Sequence, residues 1–149
     1  PALVSEPLGE VSLISVAAPG HPLAKFGRRI PKRELRKHVQ LVLTDRSDLM
    51  AGRDYGVVSP STWRLADLST KYAFLKDEVG WGGMPLHMVE NDIVSGTLVV
   101  LDVDDMPRGG FMLTMSAYHQ SSNPPGPPGR WFVDHLKQLW EQASAVKAT

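Results

Sequence analysis

The apolar positions along the chain fall into short β-branched runs separated by stretches with helical spacing. Val11 to Ala18 reads VSLISVAA and is closed by Pro19 and Gly20, which predicts a strand followed by a turn. Pro31 then sits where a proline at the first position of a helix would, and Leu35 is the only strongly apolar residue before His38, so a short surface helix is expected. Gln40 to Leu43 and Thr62 to Ala66 predict two strands, with a polar, glycine-bearing excursion from Asp45 to Ser61 between them. Asp67 or Ser69 is placed to cap a helix whose apolar positions Tyr72, Leu75 and Val79 keep helical spacing, with Gly80 as its terminator.

In the second half, Pro85 to Asn91 predicts a short helix, and Thr97 to Val103 and Phe111 to Tyr118 predict strands. Ser121 to Gly129 is rich in Pro, Gly and Ser and reads as a linker or loop. Phe132, Leu136, Leu139, Trp140 and Ala143 follow at intervals that mark an amphipathic C-terminal helix with one buried stripe. Strands alternating with helices imply an α/β architecture.

Composition narrows the function classes. With 149 residues and 42% hydrophobic content, the chain can bury one core or two small lobes. Sixteen Lys and Arg balance sixteen Asp and Glu, so no global field favours nucleic acid or an anionic membrane. The lack of cysteine excludes a disulfide framework, thiolate zinc sites and thiol nucleophiles. No apolar stretch approaches the roughly 20 residues that span a bilayer, so no membrane partner is expected. Pro1 to Glu10 lacks the basic start and apolar run of a secretion signal.

Two places carry candidate binding chemistry. In the strand-turn-helix unit Thr62 to Val79, the strand end and the helix start coincide, which is where open α/β sheets hold ligands. The amides of Leu68, Ser69 and Thr70, with the hydroxyls of Ser69 and Thr70, either receive a ligand carboxylate or merely cap the helix. Thr44, Asp45, Arg46 and Ser47 follow another strand and reach the same rim, where Arg46 either grips an anion bidentately or stays a solvated loop arginine.

Other motifs read more plainly. Gly80-Trp81-Gly82-Gly83-Met84-Pro85 follows a helix and runs into proline, so it is not a dinucleotide loop. It predicts a tight turn in which Gly80 is left-handed and Trp81 either packs inward or lines the pocket. The basic run Lys25, Arg28, Arg29, Lys32, Arg33, Arg36 and Lys37 reads as a solvated face, and Asp104 with Asp105 as a solvated loop pair. Histidines at 21, 38, 87, 119 and 135 have no paired metal spacing, and no nucleophile elbow is present. Neither a metal, a cofactor nor catalysis is expected.

Val16-Ala17-Ala18-Pro19-Gly20-His21-Pro22-Leu23-Ala24, then Trp63-Arg64-Leu65-Ala66-Asp67-Leu68, then Gly80 to Pro85 and Gly96-Thr97-Leu98-Val99, ending in the PGPPGRWFVDHL helix, together resemble the effector domain of LysR-type transcriptional regulators. The resemblance implies a type II periplasmic-binding-protein-like fold, two α/β lobes joined by two crossing strands. On that frame residues 1–29 hold the end of the first lobe and a crossing strand over Val11 to Ala18. Residues 30–103 form a complete second lobe. Residues 104–149 return through Phe111 to Tyr118 to the C-terminal helix of the first lobe.

The implied role is sensing. A small, anionic metabolite binds in the interlobe cleft and shifts the lobes, which controls transcription. DNA is expected to be bound only through a winged helix-turn-helix that precedes such a domain and is absent from these residues. A cytoplasmic homo-oligomer is implied as well. The rival readings are a solute-binding protein of a transport system, which should carry a leader, and a small enzyme using Asp45 or Ser69.

Overall fold

A computed structural model of the chain describes residues 2–44, 56–104 and 106–147. The strands and helices, in chain order, are β1 (Leu3–Ala17), α1 (Lys32–Leu35), β2 (Gln40–Leu43), β3 (Thr62–Leu65), α2 (Leu68–Lys76), β4 (Gly82–Pro85), α3 (Leu86–Ser95), β5 (Val99–Val100), β6 (Phe111–Gln120) and α4 (Pro127–Lys147). The chain folds as two compact units: Pro1–Val11 with Met112–Thr149, and Ser12–Phe111.

In the 12–111 unit, β1 is flanked by β4 and β5, both antiparallel to it, with Ile14 opposite Met84 and Val16 opposite Val100. β2 and β3 form a parallel pair in which Leu41 faces Trp63. A single bridge between Gln40 and Trp81 brings β2 alongside the residue that leads into β4. The parallel pair needs a crossover, and β-branched or leucine side chains suit strands covered on both faces. Ile14, Val16, Leu41, Leu75, Met84, Val89 and Leu98 form one buried cluster. A second gathers Ala17, Leu23, Ile30, Leu35, Trp81, Leu101 and Val103. Each fully buried aliphatic side chain contributes about 1.5–3 kcal/mol, so these two clusters carry the unit.

Helix α2 begins as the sequence predicts, with Asp67 accepting from the Thr70 amide at 2.8 Å. Its end differs from expectation. The left-handed residue is Glu78, at φ 62°, and not Gly80. Gly80 is needed for closeness instead: a Cβ there would collide with the Val39 carbonyl oxygen, because the Trp81 amide donates to that oxygen at 3.1 Å. The predicted strand Thr97 to Val103 contracts to Val99–Val100, since Gly96 closes α3 at φ 78° and only two residues pair with β1.

In the other unit, β6 pairs with β1 and the Ser121 amide donates to the Ala2 carbonyl. The predicted loop Ser121 to Gly129 is shorter than expected, because α4 starts at Pro127, where first-turn prolines lose no helical hydrogen bond. The covered stripe of α4 is the predicted one only in part. Leu136 and Trp140 are partly covered as expected, together with Arg130, Val133 and Lys137, while Phe132 and Leu139 remain 55% and 47% exposed. The ion pairs turn the helix: Arg130 donates to both oxygens of Glu6, Lys137 reaches it at 3.1 Å, and Trp140 Nε1 donates to the Glu10 carbonyl. First Arg130, then Lys137, hold the Glu6 carboxyl down to about 2.

Candidate functional site

One cavity of about 180 Å³ opens within the 12–111 unit. Its walls come from β1, β2, the Trp81–β4 segment and α2, with the chain around Val57 and Met106 across from them. Leu13, Leu41, Leu43, Val57, Met106 and Phe111 make most of that lining apolar.

The polar lining groups divide into those already engaged and those not. The Gln40 side chain donates to the Gly56 carbonyl at 2.6 Å and accepts from the amides of Val58 and Ser59 at 2.8 and 3.0 Å. It is therefore a strut that fixes one wall, its oxygen fully used and one of its two amide N–H donors spent. Ser15 Oγ donates to Met106 Sδ at 3.2 Å. Met106 is held in turn by Arg29, whose guanidinium donates to the Met106 carbonyl and to Asp102 at 2.8 Å each and to Asp104 at 3.1 Å. Arg29 thus departs from the solvated role its sequence context predicts, because it pins the Met106 segment, whereas Asp104 is exposed on its loop as expected. Asp105 lies outside the described residues.

Lys71 is different. Its side chain is 6% exposed, on the inward face of α2 between Leu68 and Leu75, and it lines the cavity. No carboxylate and no hydrogen-bond acceptor engages its ammonium among the described residues. Burial alone pushes its pKa down to about 8. The room it occupies exists because residue 82 is glycine: a Cβ there would stand 2.6 Å from the Leu41 carbonyl oxygen and 3.1 Å from Lys71 Cε. A second group without a partner among the described residues is the buried Nε1–H of Trp81, a lining residue only 2% exposed. Core packing and pocket lining, posed as alternatives for Trp81, coexist.

The remaining residues singled out in the sequence lie as follows. Thr44 is exposed just past β2, its amide donating to the Leu65 carbonyl at 2.8 Å, and it does not line the cavity. Asp45, Arg46 and Ser47 lie outside the described residues. Leu68, Ser69 and Thr70 form the first turn of α2, one step short of the cavity wall. Both the amide and the hydroxyl of Thr70 donate to Asp67, at 2.8 and 2.9 Å. Lys71 itself was missed, although its spacing from Leu68 and Leu75 puts it in the apolar stripe and could have found it.

What this arrangement can do is bind. It offers a largely apolar hollow, walls braced by hydrogen-bonded polar struts, and one buried cation without a counter-charge among the described residues. Among the described residues no three histidine, aspartate or glutamate side chains gather as metal ligands. No described helix is long and apolar enough to cross a membrane.

The mixed α/β architecture is that of a type II periplasmic-binding-protein-like fold. Residues 1–141 match the family described as the LysR substrate binding domain, and the chain belongs to that family. Solved structures agree in fold. The regulatory domain of CcmR from Synechocystis PCC6803, in complex with 2-PG, is 19% identical at a TM-score of 0.66, over 92% of this chain and 66% of that one. The regulatory domain of MetR, a LysR family regulator from N. meningitidis, is 13% identical at 0.69, over 91% and 63%. The effector binding domain of QuiR in complex with shikimate is 17% identical at 0.61, over 94% and 66%. The chain therefore spans just under two thirds of the length of these domains. None of the curated proteins matches it.

Proposed function

We propose that this chain is the effector-sensing part of a LysR-type transcriptional regulator and that a small anionic metabolite binds it at the Lys71 cavity. The observation that carries the reading is the buried, unpaired ammonium on the wall of an otherwise apolar hollow. An uncompensated buried charge is costly, and the group that would relieve it is a ligand anion. The family membership supports sensing over catalysis.

Thr44, Asp45, Arg46, Ser47, Leu68, Ser69 and Thr70 are retained as proposed effector-binding residues at the rim of the site. Transcriptional control, DNA binding through a helix-turn-helix outside these residues, and a cytoplasmic setting are proposals that follow from the family. Self-association is proposed too, supported by the exposed Met112, Leu113, Trp131 and Phe132 of the smaller unit. A thermal-shift screen of carboxylic and aromatic metabolites tests the central claim: a true effector at one hundred times its Kd adds about 2.7 kcal/mol of stability. A chain stabilised by none of them is not an effector sensor.

A further inference from the structure

Resting on the reading above, we infer that the ligand is a monocarboxylate with a compact apolar body, its carboxylate seated on Lys71 Nζ. The charge count sets the first limit. Lys71 is the only charged side chain among the described residues of the lining. One carboxylate neutralises it; a second carboxylate, or a phosphate dianion, would leave negative charge facing Leu13, Leu41, Val57 and Phe111, where ions are poorly solvated. An uncharged ligand would leave the ammonium as bare as before.

The walls set the second limit. The Gln40 oxygen, one of its two amide N–H groups and the Ser15 hydroxyl proton are already committed to protein partners, so a ligand rich in hydroxyl groups would find few mates among the described residues and would bury some unpaired. The indole N–H of Trp81, without a partner among the described residues, and the second Gln40 N–H are the side-chain donors that remain beside Lys71, enough for one or two acceptors beside the carboxylate. Size sets the third. A hollow of 180 Å³ holds about six waters, room for a small branched or aromatic acid.

The test uses the whole chain and isothermal titration calorimetry with benzoate, phenylacetate and 3-methylbutanoate, against phthalate, succinate and inorganic phosphate, and against benzamide and 3-methylbutanamide. The tightest binder is expected among the monocarboxylates, ahead of its own amide and of the dianion of like shape. Its affinity should fall at least about tenfold in Lys71→Met, the scale of a lost charge-assisted hydrogen bond. Circular dichroism confirms that the variant is folded, and the ranking on the unaltered chain does not depend on the variant. A tightest binder that is dianionic or uncharged, or a monocarboxylate that binds Lys71→Met undiminished, overturns the inference while leaving a small-molecule sensor intact. A chain that binds nothing in this panel or in the broader screen overturns both.

Discussion

Replacing Lys71 with methionine is expected to make the protein more stable, which is an unusual outcome for a buried position. A lysine that ordinarily holds its proton to 10.5 releases it here at about 8. At about 1.36 kcal/mol per decade, keeping it charged inside the fold costs about 3 kcal/mol at neutral pH. The folded pKa is the lower one, so the unfolded chain binds the proton more tightly. The penalty is therefore fully present below about pH 8, shrinks between 8 and 10.5, and is gone above 10.5. Methionine keeps an unbranched apolar stem of similar length against Leu75 and Gly82 and removes the charge.

Urea denaturation of both proteins at several pH values reads the effect. At pH 7 Lys71→Met should gain up to about 3 kcal/mol, and each kcal/mol raises Tm by about 2–4 °C in a chain of this size. The advantage should fade as pH climbs through the 8 to 10.5 window. A variant less stable than the parent at pH 7, or an advantage that is flat with pH, would show that the ammonium has a partner and refute the argument. The same proton governs binding. A carboxylate needs the charged lysine, so its affinity should weaken as pH rises past about 8 in the parent chain and not in the variant.

Other expectations are simpler to read. Gly80→Ala should cost about 1–3 kcal/mol by chemical denaturation, since its Cβ meets the Val39 carbonyl and neither backbone can retreat. Trp81→Ala should cost about 3–5 kcal/mol, whereas Trp81→Phe should stay within about 1.5 kcal/mol of the parent because the deleted N–H has no partner among the described residues; equal losses would mean that the indole nitrogen is satisfied. The Glu6 carboxyl should titrate near 2 by NMR and move back toward 4.5 in Arg130→Met. Its stabilising contribution is complete above 4.5 and is lost as pH falls through about 2.

Elements whose partners lie nearby were legible; elements fixed by distant partners were not. Gln40 to Leu43 matches its expectation to the residue, and Thr62 to Leu65, bracketed by Ser59-Pro60-Ser61 and Asp67, matches to within one. The Asp67 cap follows from local chemistry alone. By contrast, β1 extends back to Leu3 through Pro7 and Gly9, a stretch with no strand pattern of its own. Its ladder partner β6 lies about a hundred residues away, and pairing overrides propensity there. The rotation of α4 was legible only in part for the same reason, since Glu6 decides which face turns inward.

The site repeats that lesson in its chemistry. Trp81 was noticed because a tryptophan between glycines is conspicuous, yet the glycines were credited with turn conformation when their work is to let Val39, Leu41 and Lys71 approach. Lys71 hid because a lysine on a helix is almost always solvated. Local rules predict a polar outer face, and the structure instead puts an ammonium into the apolar stripe, opens room for it at Gly82, and leaves it without a counter-charge. The neighbouring struts are matched, Gln40 with the chain at 56–59, Arg29 with Asp102 and Asp104, Ser15 with Met106, while the Trp81 indole N–H is without a partner among the described residues. A fold that matches those struts and still leaves the ammonium bare is stable in spite of that residue. Departures from local consistency of this kind concentrate at functional sites.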